Sequence, residues 1–402
     1  MAARGGDRAL PVSTARRLLL GACLLLAFGG LVMVFSAAFF TDIVERTDGA
    51  YSFRRQTIYL VLGLALMWFF SRFDYRRLRK LAWLSLLVCD VGLIGVLAFG
   101  VGALGARRVI DLGFFSLQPS EFAKLACVLV AAAVMTDKRL GEEWPKVGWV
   151  GVALLPVVIL VMMQPDMGTA VVILGATFVV MWLGGLSWKF TFGLSGGGLL
   201  SGAAAIVLAP YRFERWLAFK DPWADPLGSG YQTIQAIYAF ATGGLTGVGL
   251  GMSAQKFGYL PEAHTDFILA LIGEELGLLG TLVVVGAFAV FAVAGFRIVV
   301  GVKDPFGRVL AGGLTSLVVV QALVNMGAVT NLIPVTGIPL PFVSYGGNSM
   351  LASMTAVGII LSVARHGGRS VPQVRGERGG GRARASGGRR DGRARVSGTR
   401  PR

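Results

Sequence analysis

The sequence is poor in the residues that form disulfides and metal sites. Its 402 residues include three cysteines and two histidines. Cys23, Cys89 and Cys127 lie in apolar stretches, where free cysteine behaves as a small apolar residue, and their spacing fits neither a disulfide framework nor a zinc site. The sequence also lacks a P-loop and a dinucleotide-binding glycine motif, so we do not expect it to use ATP directly.

Charged residues are scarce as well. They make up 15% of the chain against 54% hydrophobic residues, and the mean hydropathy is +0.68. Apolar runs long enough to cross ~30 Å of hydrocarbon recur along the chain, and they are continuous rather than alternating, which favours helices over a barrel. We therefore predict an all-α polytopic membrane protein with ten transmembrane helices, at about 18–40, 57–70, 81–101, 119–135, 147–163, 167–186, 190–210, 267–296, 309–329 and 349–364.

Basic residues near these runs predict the orientation of the chain. With ten crossings both termini share one side, and that side has the larger share of lysine and arginine, including the basic block at 72–80. The positive-inside rule then places both termini in the cytoplasm. We expect a cytoplasmic N-terminus at 1–17 and a membrane domain at 18–365, with external loops at about 41–56, 102–118, 211–266 and 330–348. The loop at 211–266, between helices 7 and 8, is the largest.

Most of the formal net charge of +16 lies in the remaining segment, 366–402 and the adjoining Arg365. This cytoplasmic tail is rich in arginine, glycine and serine and has no apolar periodicity, so we predict that it is disordered. We favour a solvated tail near anionic lipid headgroups. Because no aromatic residues alternate with the arginines, we expect no nucleic-acid partner.

Two short external segments place ionisable residues at helix ends. In the first, Pro119 suits the first turn of a helix, and Glu121 and Lys124 form an i,i+3 pair. Charges at the mouth of a membrane helix are costly, so this pair is either functional or self-neutralising and directed outward. In the second, at 164–169, Asp166 fits the cap of the following helix.

The long loop is the third such segment, and it ends in the sequence YLPEAHTDF at 259–267. It opens with Arg212 and Arg215, and its repeated glycines at 243–251 permit close backbone approach and positive φ. Asp266 lies where this loop enters the eighth apolar run, at a water–lipid boundary. It is either a catalytic base or the N-cap of that helix, with Thr265 as the alternative cap.

Taken in order, these segments resemble the SEDS family of bacterial cell-wall polymerases, which includes FtsW, RodA and SpoVE. The resemblance extends from about residue 18 to 365. It rests on GARR at 105–108, LQPSEFAK at 117–124, QPDMGT at 164–169, DPWADPLGSGYQ at 221–232, YLPEAHTDF at 259–267, GEELG at 273–277 and LIPVTGIPLPFVSYGGNS at 332–349. DPWADP and YLPEAHTDF are more similar to FtsW and SpoVE than to RodA. Val109 departs from the family pattern, in which tryptophan often follows the arginine.

The resemblance implies a peptidoglycan glycosyltransferase that polymerises lipid II at the outer face of the cytoplasmic membrane, and for an FtsW-like member it implies septal synthesis in division. A GlcNAc 4-hydroxyl attacks the MurNAc anomeric carbon of the growing chain, undecaprenyl pyrophosphate leaves, and inversion gives a β-1,4 bond. This reaction needs a base for the hydroxyl proton and positive charge for the pyrophosphate. The family's aspartate corresponds to Asp266, its arginine to Arg108 and its helix lysine to Lys124.

Further candidates for contacting the substrate share the external segments: Glu121, Arg212, Arg215, Lys256, Glu262, His264 and Ser344. The cations among them would hold the pyrophosphate, Glu262 would support Asp266, and His264 would have an orienting role. A divalent cation, Mg²⁺ or Mn²⁺, between Asp266 and the pyrophosphate is an open alternative. We expect no other cofactor.

The resemblance also implies a partner, a single-span class B penicillin-binding protein that crosslinks the strands, together with other division proteins. Two other function classes are considered. Polar groups among the helices would suit a flippase that moves lipid II, although transport needs access from both faces whereas the ionisable motifs lie on one. The second alternative is a non-enzymatic division scaffold.

Overall fold

The structure is a computed structural model that describes residues 11–101, 108–111, 113 and 116–367. The predicted disordered tail lies outside the described residues, apart from His366 and Gly367. The described part of the chain is mostly α-helical, and its only paired strands are β1 (Ile110–Asp111) and β2 (Ser116–Leu117), which are antiparallel.

Twelve α-helices occur in these residues: α1 (Val12–Arg46), α2 (Tyr51–Arg72), α3 (Tyr75–Phe99), α4 (Pro119–Met135), α5 (Glu143–Met163), α6 (Met167–Leu183), α7 (Trp188–Val207), α8 (Pro210–Lys220), α9 (Tyr231–Gly243), α10 (Ile268–Gly301), α11 (Pro305–Val329) and α12 (Gly347–His366). Each of the ten predicted apolar runs coincides with one of them, with ends that differ by a few residues. The exceptions, α8 and α9, lie in the region that the sequence predicts as loop.

Six of these helices, α1, α3, α5, α10, α11 and α12, are long and apolar enough to cross a membrane on their own. α4 and α6 have 17 residues each, fewer than the ~20 that a typical span needs. The described residues therefore establish a polytopic helical membrane protein, whereas the count of ten spans stays a prediction.

The centre of the helix bundle is formed by α4, α11 and α12. In α4 every residue except Phe122 and Leu125 is buried. α2 packs against α12, α3 and α6 pack against α4, and α1 packs against α10. Apolar side chains such as Leu87 of α3 and Leu279 of α10 remain exposed on the outside, as a lipid-facing surface requires.

The connections between helices meet at two opposite ends of the bundle. At one end, the Tyr345 N–H donates to the His264 carbonyl at 2.9 Å and the Asn348 side chain donates to the Ser116 carbonyl at 2.8 Å. At the other end, the Tyr75 hydroxyl donates to Asp304 at 2.9 Å. The described parts of the loops predicted to be external meet at the first end, which we call the site end.

A break at Gly277 divides α10 into two helical segments. Gly277 has φ +66°, which favours glycine, and the break removes helical hydrogen bonds around it. The glycine-rich loop after α9 replaces them: Val248 and Gly249 donate N–H groups to the Glu274 and Glu275 carbonyls at 3.0 Å. The sequence indicates one continuous helix here, and the buried loop is what makes the interruption tolerable at membrane depth.

Candidate functional site

Asp266 lies at the site end and does not cap α10. The N-cap position belongs to Phe267, which makes no side-chain cap hydrogen bond, so neither Asp266 nor Thr265 caps the helix. The Asp266 side chain accepts a hydrogen bond from the Thr265 hydroxyl at 3.2 Å instead. The side chain is partly buried. The cap alternative is therefore wrong, and the carboxylate is left available for chemistry.

Burial raises the pKa of Asp266 to about 7, and the neighbouring Glu262 carboxylate adds to the increase. Hydrogen bonds from its own N–H and from Thr265, and the positive charge of Arg215, oppose the shift. A carboxyl group with this pKa is partly ionised at neutral pH and is basic enough to accept a proton. Desolvation is the dominant cause, as it is for other buried carboxyl groups.

A tight turn before α10 holds the carboxylates of Glu262 and Asp266 together. Glu262 adopts the left-handed conformation with φ +54°, and its carbonyl accepts the N–H groups of Thr265 and Phe267 at 3.1 and 3.3 Å. The Thr265 hydroxyl lies between the two acidic side chains, 2.7 Å from the Glu262 carboxylate, and can donate its one proton to either of them. Glu262 is thus a direct neighbour of Asp266, as the sequence analysis expects.

His264 faces Tyr345 rather than Asp266. Their ring centroids are 5.5 Å apart, and the Tyr345 N–H binds the His264 carbonyl. Burial lowers the pKa of His264, against the opposing effect of Glu262. The geometry gives His264 a positioning role in the turn.

The segment 330–346 covers Asp266 from the side of α11. Gly337, at φ +69°, approaches the Asp266 carboxylate closely enough that an added Cβ would lie 3.8 Å from Oδ2. Asn325 of α11 fixes both sides of this contact, because its Nδ2 donates to the carbonyls of Asp266 and Ile338 at 2.8 Å each. The sequence analysis does not single out Asn325, because both of its contacts join segments that are distant in the sequence.

Two predicted pyrophosphate ligands, Arg212 and Arg215, lie on α8. Arg215 donates to the Val335 carbonyl at 3.1 Å and is the cation whose charge reaches Asp266. Arg212 bonds its neighbour, the Tyr211 hydroxyl, at 3.0 Å. Among the predicted pyrophosphate ligands, Arg215 lies near enough to Asp266 for its charge to lower the pKa of that carboxyl group.

Glu121 and Lys124 form a buried ion pair with an N–O distance of 2.8 Å, and each side chain is 3% exposed. Lys124 also donates to Gln321 at 2.6 Å, and Gln321 donates to the Pro339 carbonyl in the segment that covers Asp266. The alternative in which the pair reaches outward is therefore wrong. Glu121 keeps one buried oxygen without a hydrogen-bond partner, beside a small cavity between α4, α11 and α12.

Arg108 and Asp166 stabilise the turn between α5 and α6. Arg108 donates to the carbonyls of Gln164 and Pro165 at 3.3 and 2.6 Å. Asp166 caps α6 through the Thr169 N–H at 3.1 Å, as the sequence predicts. Gly168 packs against the Thr336 carbonyl and Ile338, so this turn supports the segment 330–346 that covers Asp266.

Lys256 belongs to a separate polar cluster. Its ammonium group lies 3.8 Å from the Glu275 carboxylate, which also accepts the Ser36 hydroxyl at 2.6 Å. It borders a groove of ≈ 350 Å³ between α1 and the loop before α10. Glu274 binds the same loop, through the Ala254 N–H at 3.0 Å. The described contacts do not bring Lys256 to Asp266.

Ser344 is buried, and its hydroxyl accepts the Leu340 N–H at 2.8 Å. Its carbonyl accepts the Gln56 side chain of α2 at 3.1 Å. Both polar groups of Ser344 are therefore engaged within the protein. Its predicted contact with the substrate stays a prediction.

The described residues contain no group of three or more His, Cys, Asp or Glu side chains that could hold a metal ion. Asp266 and Glu262 are two neighbouring carboxylates, so they would need further ligands from a substrate to complete a coordination shell.

The fold and site define a class: a polytopic helical membrane protein that presents a carboxyl group of raised pKa at one end of its bundle. Comparison with known proteins agrees. The sequence profile of the FtsW/RodA/SpoVE family, described as cell cycle protein, matches residues 16–368. The chain belongs to this family, and it is an enzyme of the glycosyltransferase class.

Named relatives are similar to this chain over most of their length. Stage V sporulation protein E of Bacillus subtilis is 41% identical over 350 residues, which are 85% of this chain and 95% of the relative. The probable peptidoglycan glycosyltransferase FtsW of Geobacter metallireducens is 40% identical over 339 residues, which are 83% of this chain and 90% of the relative.

Solved structures show the same fold. One matched chain is 32% identical, with a TM-score of 0.72, and the match covers 86% of this chain and 96% of the matched chain. Its structure is described as "Structural coordination of polymerization and crosslinking by a peptidoglycan synthase complex". The rod shape determining protein RodA of Thermus thermophilus is 27% identical, with a TM-score of 0.65 and coverage of 88% and 97%.

Proposed function

We propose that this protein is a peptidoglycan glycosyltransferase that polymerises lipid II, with Asp266 as the catalytic base. One observation supports this assignment above the others: the Asp266 carboxyl group is not used as a helix cap and has a pKa of about 7. A carboxylate committed to the helix end would have been stabilised as an anion and would be a weaker base. The names of the relatives agree with the reaction.

The proposed topology has ten spans, with both termini in the cytoplasm and the site end outside. It includes the 18–365 membrane domain and a cytoplasmic tail at 366–402. α8 and α9 then lie in the external region between spans 7 and 8. This topology places Asp266 at the outer leaflet, where a lipid-linked sugar can reach it while its tail stays in the bilayer.

In the proposed reaction, Asp266 accepts the proton of the attacking GlcNAc 4-hydroxyl as the new C–O bond forms at the MurNAc anomeric carbon. The bond to the pyrophosphate oxygen breaks with inversion, and the leaving group carries the electron pair away. Arg215 contributes positive charge on the same side, and Glu262 adds to the increase in the pKa of Asp266 that burial causes. Arg108, Lys124 and Glu121 support the site through the Gln164–Thr169 turn and the segment that covers Asp266.

A divalent cation, if it participates, would be held by Asp266 and Glu262 together with pyrophosphate oxygens. It would offset the charge that develops on the leaving group. The chain itself would orient the two carboxylates through the Thr265 hydroxyl.

Substitution of Asp266 tests the assignment directly. Asp266→Asn should abolish strand synthesis from lipid II by the purified full-length protein, supplied with a class B penicillin-binding protein as the proposed partner. Glu214→Gln, an exposed carboxylate on α8, is the matched control and should retain activity. Synthesis by Asp266→Asn at the rate of the control would reject Asp266 as the base.

A flippase is the second candidate function, because the buried Glu121–Lys124–Gln321 cluster places charge deep within the bundle. Vesicle assays separate the two. If Lys124→Met abolishes lipid II translocation while polymerisation by the same protein persists, transport is the better assignment. We also propose a role in septal synthesis with other division proteins. If division persists in cells with Asp266→Asn but is lost when surface residues are substituted, the protein would instead be a scaffold.

A further inference from the structure

The start of α2 carries a guanidinium group that no carboxylate neutralises. The ion pairs formed by the described residues are Arg46–Asp42, Arg54–Asp48, Lys124–Glu121 and Lys256–Glu275. Arg55 is in none of them, although it is only half-buried at the site end. An arginine held in place without an acidic partner is suited to an anionic ligand.

Two tyrosine hydroxyls orient Arg55 from its own helix. Nη1 donates to Tyr51 at 3.1 Å and Nη2 donates to Tyr59 at 3.4 Å. These residues have i, i+4 and i+8 spacing, so they share one face of α2. Arginine has five N–H donors, and two such bonds leave donors for a ligand while fixing the plane of the guanidinium group.

The carboxylate of Asp42, which binds the start of α2, is already occupied. Asp42 of α1 accepts the Ser52 N–H and hydroxyl at 2.7 and 2.9 Å, and it pairs with Arg46 at 3.8 Å. Arg46 and Arg55 both lie near the Tyr51 ring, with distances of 4.1 and 5.6 Å to its centroid. The arrangement therefore concentrates positive charge around Tyr51.

Arg55 is tied to the wall that carries Asp266. The adjacent Gln56 binds the Ser344 carbonyl at 3.1 Å and accepts the Gly346 N–H at 3.4 Å. Tyr345 between them binds the His264 carbonyl, two residues before Asp266. Arg55 is the fifth residue of α2, about 6 Å along the helix axis from its first residue, so it lies close to the site end.

We propose that Arg55, oriented by Tyr51 and Tyr59, binds the pyrophosphate of the lipid-linked substrate. The inference rests on the proposed function and adds a ligand group that the motif residues do not include. It accounts for a positive centre on the α2 side of the site, in addition to Arg215 on α8.

Direct binding tests this inference without relying on turnover. Farnesyl pyrophosphate serves as the probe, titrated against the full-length protein in detergent. Arg55→Gln should weaken binding by about tenfold or more, because charge-assisted bonds to a phosphate are lost. Arg55→Lys should weaken it less, since the charge remains but the fork geometry does not.

Arg54→Gln is the matched control, because Arg54 is the neighbouring residue but is exposed and paired with Asp48. It should bind the probe within about twofold of the unaltered protein, as expected for a surface ion pair. Unchanged melting temperatures would show that each variant folds, and partial recovery in Arg55→Lys provides a second check on folding.

The same titration in the Asp266→Asn background separates this inference from the catalytic assignment. Asp266→Asn should abolish synthesis and keep probe binding sensitive to Arg55. The proposal is overturned if Arg55→Gln binds the probe like the control, or if the unaltered protein does not bind it. It is also overturned if farnesyl monophosphate or phosphatidylglycerol vesicles compete equally well, since that indicates a general headgroup site.

Discussion

Asp266→Asn should stabilise the protein while it removes activity, and the gain should depend on pH. The ordinary pKa of aspartic acid is 3.8, whereas that of Asp266 in the folded protein is about 7. Between these values the unfolded chain ionises and the folded chain holds its proton. Stability that Asp266 contributes below pH 4 is therefore lost progressively as the pH rises to about 7, after which the loss is constant.

The size of the effect follows from the shift. Three pKa units at 1.36 kcal/mol each give about 4 kcal/mol as an upper limit, and partial exposure of the side chain reduces this to roughly 2 kcal/mol. Asparagine has a similar shape and no charge, so it avoids this cost at every pH. The melting temperature of Asp266→Asn in detergent should thus exceed that of the unaltered protein by a few degrees at pH 8.

The pH series supplies the refutation. The difference in melting temperature should be small near pH 4, grow up to about pH 7, and stay level to pH 9. Strand synthesis by the unaltered protein should rise over the upper part of this range, because only ionised Asp266 accepts the proton. A difference that does not change with pH, or a variant less stable at pH 8, would show that the carboxylate is not desolvated as the structure indicates.

Two further substitutions test the support of the site. Lys124→Met should lower the free energy of unfolding by roughly 3–5 kcal/mol because it leaves Glu121 buried and unpaired. Adding Glu121→Gln should recover the melting temperature, and failure to recover it would contradict the ion-pair explanation. Gly277→Ala should make the glycine-rich loop more susceptible to proteolysis and reduce strand synthesis, because the added Cβ would lie 2.4 Å from the Gly247 nitrogen at a positive φ. Gly286→Ala on the same helix is the control and should be neutral, because its added Cβ would meet no atom within 4 Å. Equal effects of the two substitutions would reject the break as the cause.

The helices could be predicted from the sequence because apolar runs report burial in lipid directly. The start and end of α4 agree with the predicted run at 119–135, since Pro119 marks the first turn. The pairing of Glu121 with Lys124 and the cap at Asp166 were also predictable, because both depend on spacing within one helix. Such local rules need no knowledge of the neighbouring elements.

Contacts between distant segments could not be predicted in this way. The break at Gly277 depends on a loop that begins some 30 residues earlier and donates the missing hydrogen bonds, and an apolar pattern does not record it. Lys256 belongs to the Glu275 cluster rather than to Asp266 for the same reason. The sequence does show tyrosines four residues before and after Arg55. That spacing alone does not predict an anion-binding site, because only the structure shows that Arg55 has no acidic partner among the described residues.

The two aspartates that precede helices at the site end show why tertiary structure decides which of them is available for catalysis. Asp166 and Asp266 both follow a loop, and each comes directly before an apolar run of the sequence, which begins at Met167 and at Phe267. Asp166 accepts the Thr169 N–H and hydroxyl, and its charge is committed to the start of α6. At Asp266 the left-handed Glu262 redirects the chain, its carbonyl takes the Phe267 N–H, and Asn325 holds the Asp266 carbonyl from a separate helix. The carboxylate that would have capped α10 is turned away from the helix end, and because it also loses water, its affinity for a proton increases. The same residue type in the same sequence position therefore serves as a cap in one loop and as the proposed base in the other.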